Sequence, residues 1–268
     1  MRCAIVVPTY NEAATIGPLL DELRAVRSTV PGADIDVMIV DDSSPDGTGD
    51  LVRARPGFGD WLRLLTRTSK DGLGAAYRAG FAAVVADGYQ AVVQMDADGS
   101  HPADAIPAML ALLRTHDLVV GSRYVPGGAT RNWPKRRRAL SWAANLYARR
   151  LLGLRTRDAT SGFRAWRAAA LATAGALHTT ADGYGFQVEN TWRAERKGLR
   201  VAEHPITFTE RTAGRSKMSA QVPYEAPLLV LRCRADERRG RKRAARITNN
   251  TPGDRLETAE GLKGVGPA

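Results

Sequence analysis

The sequence predicts an α/β fold with a mostly parallel sheet flanked by helices. Two observations predict it: short apolar runs alternate with helical apolar patterns, and nearly every apolar run ends in a polar cluster. Cys3–Pro8 reads as a short buried strand. The segment from about Glu12 to Val26 places Ile16, Leu19, Leu20, Leu23 and Val26 on one helical face. Ile35–Val40 is a second buried strand, ending in Asp41 and Asp42. Thr48 to Arg55 is helical, and Trp61–Thr66 is a third strand. Gly72–Ala86 is helical, Ala91–Asp96 is a fourth strand, Asp104–Leu113 is a helix, and Asp117–Arg123 holds a fifth strand. Such alternation implies βαβ units.

In sheets of this kind ligands bind beyond the carboxyl ends of the strands. Four polar segments follow strand ends here: Thr9–Glu12, Asp41–Asp46, Asp96–His101 and Ser122–Tyr124. Four independent segments pointing at one crevice are stronger evidence than any single motif. Beyond them, Pro126–Arg138 reads as a mobile Gly-, Pro- and Arg-rich loop, and Ala139–Leu152 as an amphipathic helix carrying Trp142, Leu146 and Tyr147. No internal repeat is present. The organisation expected is one catalytic domain over residues 1–231, followed by a basic, flexible tail over 232–268, disordered from Thr248 on.

The chain has 268 residues, enough to bury a core without metal or disulfide staples. Its net charge of +11 favours anionic partners: nucleic acid, phosphorylated substrates or a negative membrane surface. Its two cysteines, Cys3 and Cys233, lie far apart with no ligand spacing, so a cysteine metal site is not expected and a reducing, cytoplasmic location is. The apolar run at the start is too short for a signal-peptide core, and none approaches the roughly 18 residues needed to span a bilayer. Any membrane contact is therefore expected to be peripheral, on the cytoplasmic face.

The central chemical signal is Gln94-Met-Asp-Ala-Asp-Gly-Ser-His-Pro102. Asp96 and Asp98 directly follow a buried strand, where two carboxylates repel unless they share a cation. Mg²⁺ or Mn²⁺ suits such oxygen ligands and completes its shell with substrate phosphate. A plain Asp-rich turn is the alternative. Asp41 and Asp42 are candidates to accept hydrogen bonds from a nucleobase or ribose, against the alternative of a capped loop before a helix. Tyr10 offers a stacking surface and Glu12 an acceptor, unless Asn11 merely caps the helix and Glu12 is a first-turn charge. His101 reads either as a group beside the metal or as a solvated loop histidine.

These residues carry a resemblance. Pro8-Thr-Tyr-Asn-Glu12, Asp41-Asp-Ser-Ser-Pro-Asp-Gly-Thr48, the Gly-Leu-Gly after Lys70, Asp96-Ala-Asp-Gly-Ser-His-Pro102 and Gly121-Ser-Arg-Tyr124 occur in the order seen in family 2 glycosyltransferases. The segments Asp158–Arg167, Gly183–Glu189 and Glu210–Ser219 resemble, more narrowly, the dolichol- and polyprenol-phosphate mannose synthases. The Gln-x-x-Arg-Trp motif of processive polysaccharide synthases is absent. The resemblance implies a Rossmann-like GT-A fold and inverting transfer of mannose from GDP-mannose to a polyprenyl phosphate. A polyprenyl-phosphate glucosyltransferase using UDP-glucose is the alternative. By matching positions, Pro8, Tyr10, Glu12, Asp42 and Asp46 would hold the nucleoside, with Lys70 and Gly74 also on the donor side. Asp96 and Asp98 would bind Mg²⁺ or Mn²⁺, with Ser100 where some relatives carry a Gln ligand. Arg123, Arg137 and Ser141 would hold the acceptor phosphate, and Arg211 and Lys217 would reach the diphosphate or acceptor.

The chemistry agrees with that assignment. Arginine suits bidentate phosphate recognition. A phosphate monoester is already mostly dianionic at neutral pH and needs no general base. A sugar-hydroxyl acceptor would want one. Asp158, Asp182 and Glu189 are candidates for it, and capping loops or orienting arginines is the preferred reading for them. The run Asn132-Trp-Pro-Lys-Arg-Arg-Arg138 suits an anionic membrane interface, nucleic acid or a plain solvated surface; because Arg137 lies within it, a loop admitting the lipid phosphate is the preferred reading. The arginine cluster from Arg232 to Arg246 suits lipid headgroups or a plain charged tail. Relatives often carry transmembrane helices at this end, so a separate integral membrane partner is an expectation here. No nucleic-acid module is recognised, and nucleic acid is not expected as a partner. A non-catalytic lipid-binding module is a further, weaker reading.

Overall fold

The computed structural model describes residues 1–181, 183–210 and Cys233. Its elements in chain order begin with β1 (Arg2–Thr9), α1 (Ile16–Arg27), β2 (Asp34–Asp41), α2 (Thr48–Arg53), β3 (Leu62–Thr66), α3 (Leu73–Ala86), β4 (Ala91–Gln94), α4 (Ile106–Leu112) and β5 (Leu118–Ser122). Then follow β6 (Ala129–Arg131), α5 (Lys135–Leu152), β7 (Arg164–Arg167), α6 (Ala168–Ala174), α7 (Gly183–Arg196), β8 (Val201–Pro205) and β9 (Thr207–Thr209). The main sheet has seven strands in the order β3-β2-β1-β4-β7-β5-β8, and β6 pairs with β9 separately. Only β7 runs antiparallel, to both β4 and β5. The parallel α/β architecture expected from the alternating pattern is thus present, with one reversed strand.

The period-2 alternation of each strand divides its side chains between two apolar layers. Cys3, Ile5 and Val7 of β1 join Val37 and Ile39 of β2 in a layer with Ile16, Leu19, Leu20 and Leu23 of α1 and Ile106, Met109 and Leu110 of α4. Ala4 and Val6, with Met38 and Val40, face the other way against Tyr77, Phe81 and Val84 of α3 and Phe186 of α7. Both faces are covered, which is why these strands read as continuous apolar runs. Helix α3 lies especially close to the sheet. A Cβ added at Gly80 would come 2.5 Å from Val6 Cγ1 and 2.9 Å from Val40 Cγ2. A smaller cluster joins α5 to α7 through Ala148, Leu152, Val188 and Trp192, with Cys233.

The structure departs from expectation around residues 126–138. This stretch is not all loop: Ala129–Arg131 form β6, and α5 begins at Lys135, directly after Pro134. Proline suits the entry to a helix, and Lys and Arg are good helix formers, so the helix runs through the basic cluster. Helix α1 begins at Ile16, later than the apolar periodicity suggested, because Asn11 to Thr15 form a turn closed by hydrogen bonds from Thr15 and Ile16 N–H to the Glu12 carbonyl. Asn11 is therefore not a helix cap. The expected tail lies almost wholly outside the described residues.

Candidate active site

The four polar segments meet where the sheet directs them. β1, β2 and β4 are parallel, and β5 runs with them because β7 is antiparallel to both β4 and β5. Their carboxyl ends share one edge. Strand order reverses between β1 and β4, the place where open α/β sheets leave a crevice.

The loops after β1 and β2 are stitched together. Asp41 is buried and accepts hydrogen bonds from Thr9 Oγ1 (2.8 Å), from the Ser44 N–H (3.0 Å) and from the Ser44 hydroxyl. Asp46 accepts from the Ala13 N–H (3.0 Å), the Thr48 N–H (3.0 Å) and Thr48 Oγ1 (2.6 Å). Its pKa lies below the ordinary carboxylate value: burial acts to raise it, and these donors together outweigh burial. The Glu12 N–H donates to Thr48 Oγ1 and the Asn11 N–H to Ser44 Oγ, both at 3.0 Å. Asn11 and Ser43 hold left-handed φ values of 57° and 54°, a conformation kept by these bonds.

Asp42 differs from its neighbour. Its carboxylate receives Arg67 Nη1 at 2.6 Å, while burial pushes its pKa up and Arg67 opposes the rise. Arg67 stands just past the end of β3, and its own N–H reaches the Asp41 carbonyl at 2.8 Å. Pro8 lies within β1, opposite Val40. Tyr10 is brought to Lys70, whose ammonium lies 3.8 Å from the ring centroid. Gly74 is buried in the first turn of α3. Gly72 precedes it at φ 94°, a conformation that calls for glycine.

Asp96 lies just past β4. Its Oδ1 accepts the Tyr77 hydroxyl at 2.9 Å, and its N–H donates to His101 Nδ1 at 3.2 Å. Burial first, then the nearby Asp96 charge, raises the Tyr77 pKa well above its ordinary value, which keeps this hydroxyl a donor. A Cβ added at Gly162 would come 3.2 Å from Asp96 Oδ2, so glycine leaves room beside the carboxylate. Asp98 Oδ1 accepts the Ser100 N–H at 3.1 Å, and Thr209 N–H reaches the Ser100 carbonyl at 3.2 Å. Ser100 thus enters through its backbone. His101 is buried, with its ring stacked on Phe163 at 5.1 Å and edge-on to Phe208 at 5.4 Å; it is not a solvated loop residue. Among the described residues no group of three or more His, Cys, Asp or Glu side chains gathers as a metal cage. The carboxylate of Asp96, with the Gly162 backbone close to it, and that of Asp98 two residues on nevertheless suit Mg²⁺ or Mn²⁺, which take part of their shell from substrate phosphate and water.

On the other side, Arg123 is clamped by a buried carboxylate. Its Nε and Nη2 donate to Asp158 at 2.8 and 2.7 Å, its backbone N–H at 2.9 Å, and Nη2 also reaches Thr160 Oγ1 at 2.9 Å. Asn145 of α5 donates to Thr160 Oγ1 at 2.8 Å. Asp158 therefore orients an arginine. Glu189 does two things: it accepts the Ala181 N–H at 3.1 Å and Arg193 Nε at 2.8 Å. Asp182 lies outside the described residues, as do Arg211 and Lys217. Arg137 pairs with Glu210, and its guanidinium lies 4.5 Å from the Trp133 ring centroid. Arg123 lies 5.3 Å from the same ring. Trp133 thus stands between the two arginines, half-buried, rather than out at a lipid surface. The Trp133 indole nitrogen and the Ser141 hydroxyl are both buried without a hydrogen-bond partner among the described residues.

Sequence reasoning did not single out Arg67, Tyr77, or Trp133 as an arginine-stacking residue; it marked Asp158–Arg167 by resemblance and Asp158 as orienting an arginine, but not that the loop 158–163 also abuts Asp96. Arg67 carried a usable signal, since it is polar and follows a strand end like the four segments that were recognised. Tyr77 carried none, because an aromatic on an apolar helical face reads as core.

The comparisons show the class of protein to which this fold belongs, a glycosyltransferase. The glycosyl transferase family 2 model matches residues 4–174, so the chain belongs to that family, in its polyprenyl-phosphate mannosyltransferase branch. It is 48% identical over 232 residues to the undecaprenyl-phosphate mannosyltransferase of Micrococcus luteus, covering 87% of this chain and 93% of the relative. It is 45% identical over 248 residues to the polyprenol monophosphomannose synthase of Mycolicibacterium smegmatis, covering 89% and 91%. A dolichol-phosphate mannosyltransferase of Saccharomyces cerevisiae is 33% identical over 223 residues, at 82% of each chain. Among solved structures, the glucosyl-3-phosphoglycerate synthase of Mycobacterium tuberculosis with Mn²⁺, uridine diphosphate and its product shares the fold. The TM-score is 0.61 at 23% identity, over 85% of this chain and 77% of that one.

Proposed function

We propose that this protein transfers mannose from GDP-mannose to the phosphate of a polyprenyl monophosphate, with inversion, giving polyprenyl-phosphate mannose and GDP. One observation carries the reading: a single loop, residues 158–163, abuts the Asp96 carboxylate through Gly162 and clamps Arg123 through Asp158 and Thr160. Donor-side carboxylates and acceptor-side arginines are thereby held in one frame, and positioning of this kind lowers a bimolecular barrier.

The loops after β1 and β2 would take the nucleoside, with Asp42 as acceptor and Tyr10 as stacking surface. Asp96 and Asp98 would hold Mg²⁺ or Mn²⁺, which supplies Lewis-acid stabilisation of the leaving diphosphate. Arg123 and Arg137 would draw in the acceptor phosphate, with the Ser141 hydroxyl and Trp133 N–H as further donors. Arg211 and Lys217 belong to the same reading as contacts to the diphosphate or acceptor. Asp158 and Glu189 are engaged with arginines, which disfavours either as a general base. That favours an acceptor that is its own nucleophile, as a phosphate dianion is, over a sugar hydroxyl.

No helix among the described residues is long and apolar enough to cross a membrane. Helix α5 exposes Leu140, Trp142 and Tyr147 beside exposed Lys135, Arg136 and Arg138. Apolar and basic side chains on one helix suit an anionic bilayer surface, so α5 would rest on the cytoplasmic leaflet that carries the acceptor. The basic segment from Arg232 on would add to that attraction, and a separate integral membrane protein would complete the anchor.

The test is transfer of radiolabelled mannose from GDP-mannose to polyprenyl phosphate, with Mg²⁺ or Mn²⁺ and with chelator. Metal-dependent product that disappears in Asp98→Ala supports the reading. Turnover with UDP-glucose and none with GDP-mannose would overturn the donor. No turnover with any nucleotide sugar would overturn the enzyme and leave a lipid-binding module.

A further inference from the structure

Tyr77 is wholly buried on α3, yet its hydroxyl is aimed at the site. Its ring is held by Phe186, stacked at 5.7 Å with 4° between planes, and by Phe81 at 5.7 Å. These contacts account for the ring. They do not account for a hydroxyl placed 2.9 Å from Asp96 Oδ1, where phenylalanine would pack the same core. Asp96 is only partly buried, and its side chain has two rotatable bonds. Three features narrow its freedom: the Tyr77 hydroxyl on Oδ1, the Gly162 backbone close to Oδ2, and His101 accepting its N–H. Tyr77 donates a hydrogen bond to Oδ1, while His101 Nε2 stands 3.9 Å from Oδ2, beyond hydrogen-bond distance. Tyr77 comes from α3, whose close seating at Gly80 fixes the height of the hydroxyl over the sheet. Beneath it, Gln94 at the end of β4 donates to Gln187 of α7 at 2.8 Å, tying the floor of the site to the helix that carries Phe186.

From this geometry we infer that Tyr77 is a positioning residue, whose hydroxyl holds Asp96 in the one orientation that receives the divalent cation with its nucleotide. The inference rests on the metal role proposed for Asp96. The hydroxyl bonds Asp96 Oδ1, and its role is assigned through that carboxylate. It acts by fixing a ligand, and partners of this kind typically change metal affinity about 10- to 100-fold when removed.

The experiment uses the full chain with Mn²⁺ and GDP as probes. Bound Mn²⁺ is read from the loss of the free-ion paramagnetic resonance signal, and GDP binding by calorimetry with and without metal. Tyr77→Phe removes only the hydroxyl. Tyr89→Phe is the control, because Tyr89 donates to Asp36 near the amino end of β2, away from the site. The expected result is Mn²⁺ affinity in the presence of GDP about 10-fold weaker in Tyr77→Phe, with metal-free GDP binding and the thermal midpoint unchanged and Tyr89→Phe like the parent. Unchanged Mn²⁺ affinity in a folded Tyr77→Phe protein would overturn the inference. So would an equal loss of metal-free GDP binding, which would mark a packing role. If the parent protein itself binds no Mn²⁺ with GDP, the metal reading of Asp96 falls, and this inference with it.

Discussion

Asp41 and Asp42 are adjacent in sequence and opposite in use. Asp41 spends its carboxylate on Thr9 and Ser44, and so shapes the loop. Asp42 keeps one ion pair, with Arg67, in a buried place that works against its charge. A carboxyl whose pKa is raised in the folded protein stays protonated to a higher pH than in the unfolded chain. If Asp42 accepts from the donor nucleoside, donor affinity is lost as pH falls through that raised value. Arg67→Ala removes the group that opposes the rise, so the loss moves to higher pH. KM for GDP-mannose measured across pH should show the variant's increase beginning at higher pH than the parent's. A superimposable profile would remove Asp42 from donor binding. The Arg123–Asp158 pair makes a second prediction at this scale. Both side chains are buried, and removing one leaves the other charge uncompensated. Asp158→Ala should cost about 3–5 kcal/mol in denaturant unfolding and raise KM for the lipid acceptor. A loss below about 1 kcal/mol, as for an exposed pair, would contradict the buried clamp.

Among the elements, α3 and α5 do the most to place the site. Helix α3 carries Gly74 and Tyr77 at its amino end and is set on the sheet by Gly80. Gly80→Ala pushes a methyl into Val6 and Val40. It should destabilise the fold by about 1–3 kcal/mol by overpacking, seen as a lower thermal midpoint. Helix α5 turns one face inward through Ser141, Asn145, Ala148 and Leu152 and leaves Leu140 and Trp142 more than half exposed, at 56% and 55%. Replacing both by Ala should weaken co-sedimentation with anionic vesicles by about 10-fold, on the area scale of apolar burial. Binding equal to that of the parent would move the membrane contact away from α5.

For the whole molecule, the organising fact is the sheet order. The reversal between β1 and β4 opens the crevice, and the antiparallel β7 brings the loop 158–163 back to it between β4 and β5. The fold rests on two apolar layers, neither built around a metal. Chelation should therefore stop transfer without lowering the thermal midpoint of the free protein. A large drop in that midpoint would mean a structural metal.

Much of this was legible in the sequence. Periodicity alone marks β1 to β5 and the helices between them, because buried parallel strands must be apolar and flanking helices must be amphipathic. The ends of those strands mark Thr9–Glu12, Asp41–Asp46, Asp96–His101 and Ser122–Tyr124, since carboxyl ends in a parallel sheet share one edge. What the sequence did not contain in readable form was anything decided by long-range pairing. β7 is four residues bounded by arginines, and the buried Arg164 is held by the Ala159 and Ser161 carbonyls, each at 2.8 Å, with the Asp158 charge nearby. Trp133 looks like a membrane aromatic until Phe208 and two arginines surround it. Tyr77 looks like core until its hydroxyl meets Asp96. Local pattern reports how much of a side chain is buried. Which polar atom a buried side chain meets depends on residues tens of positions away, and only the folded chain brings those together.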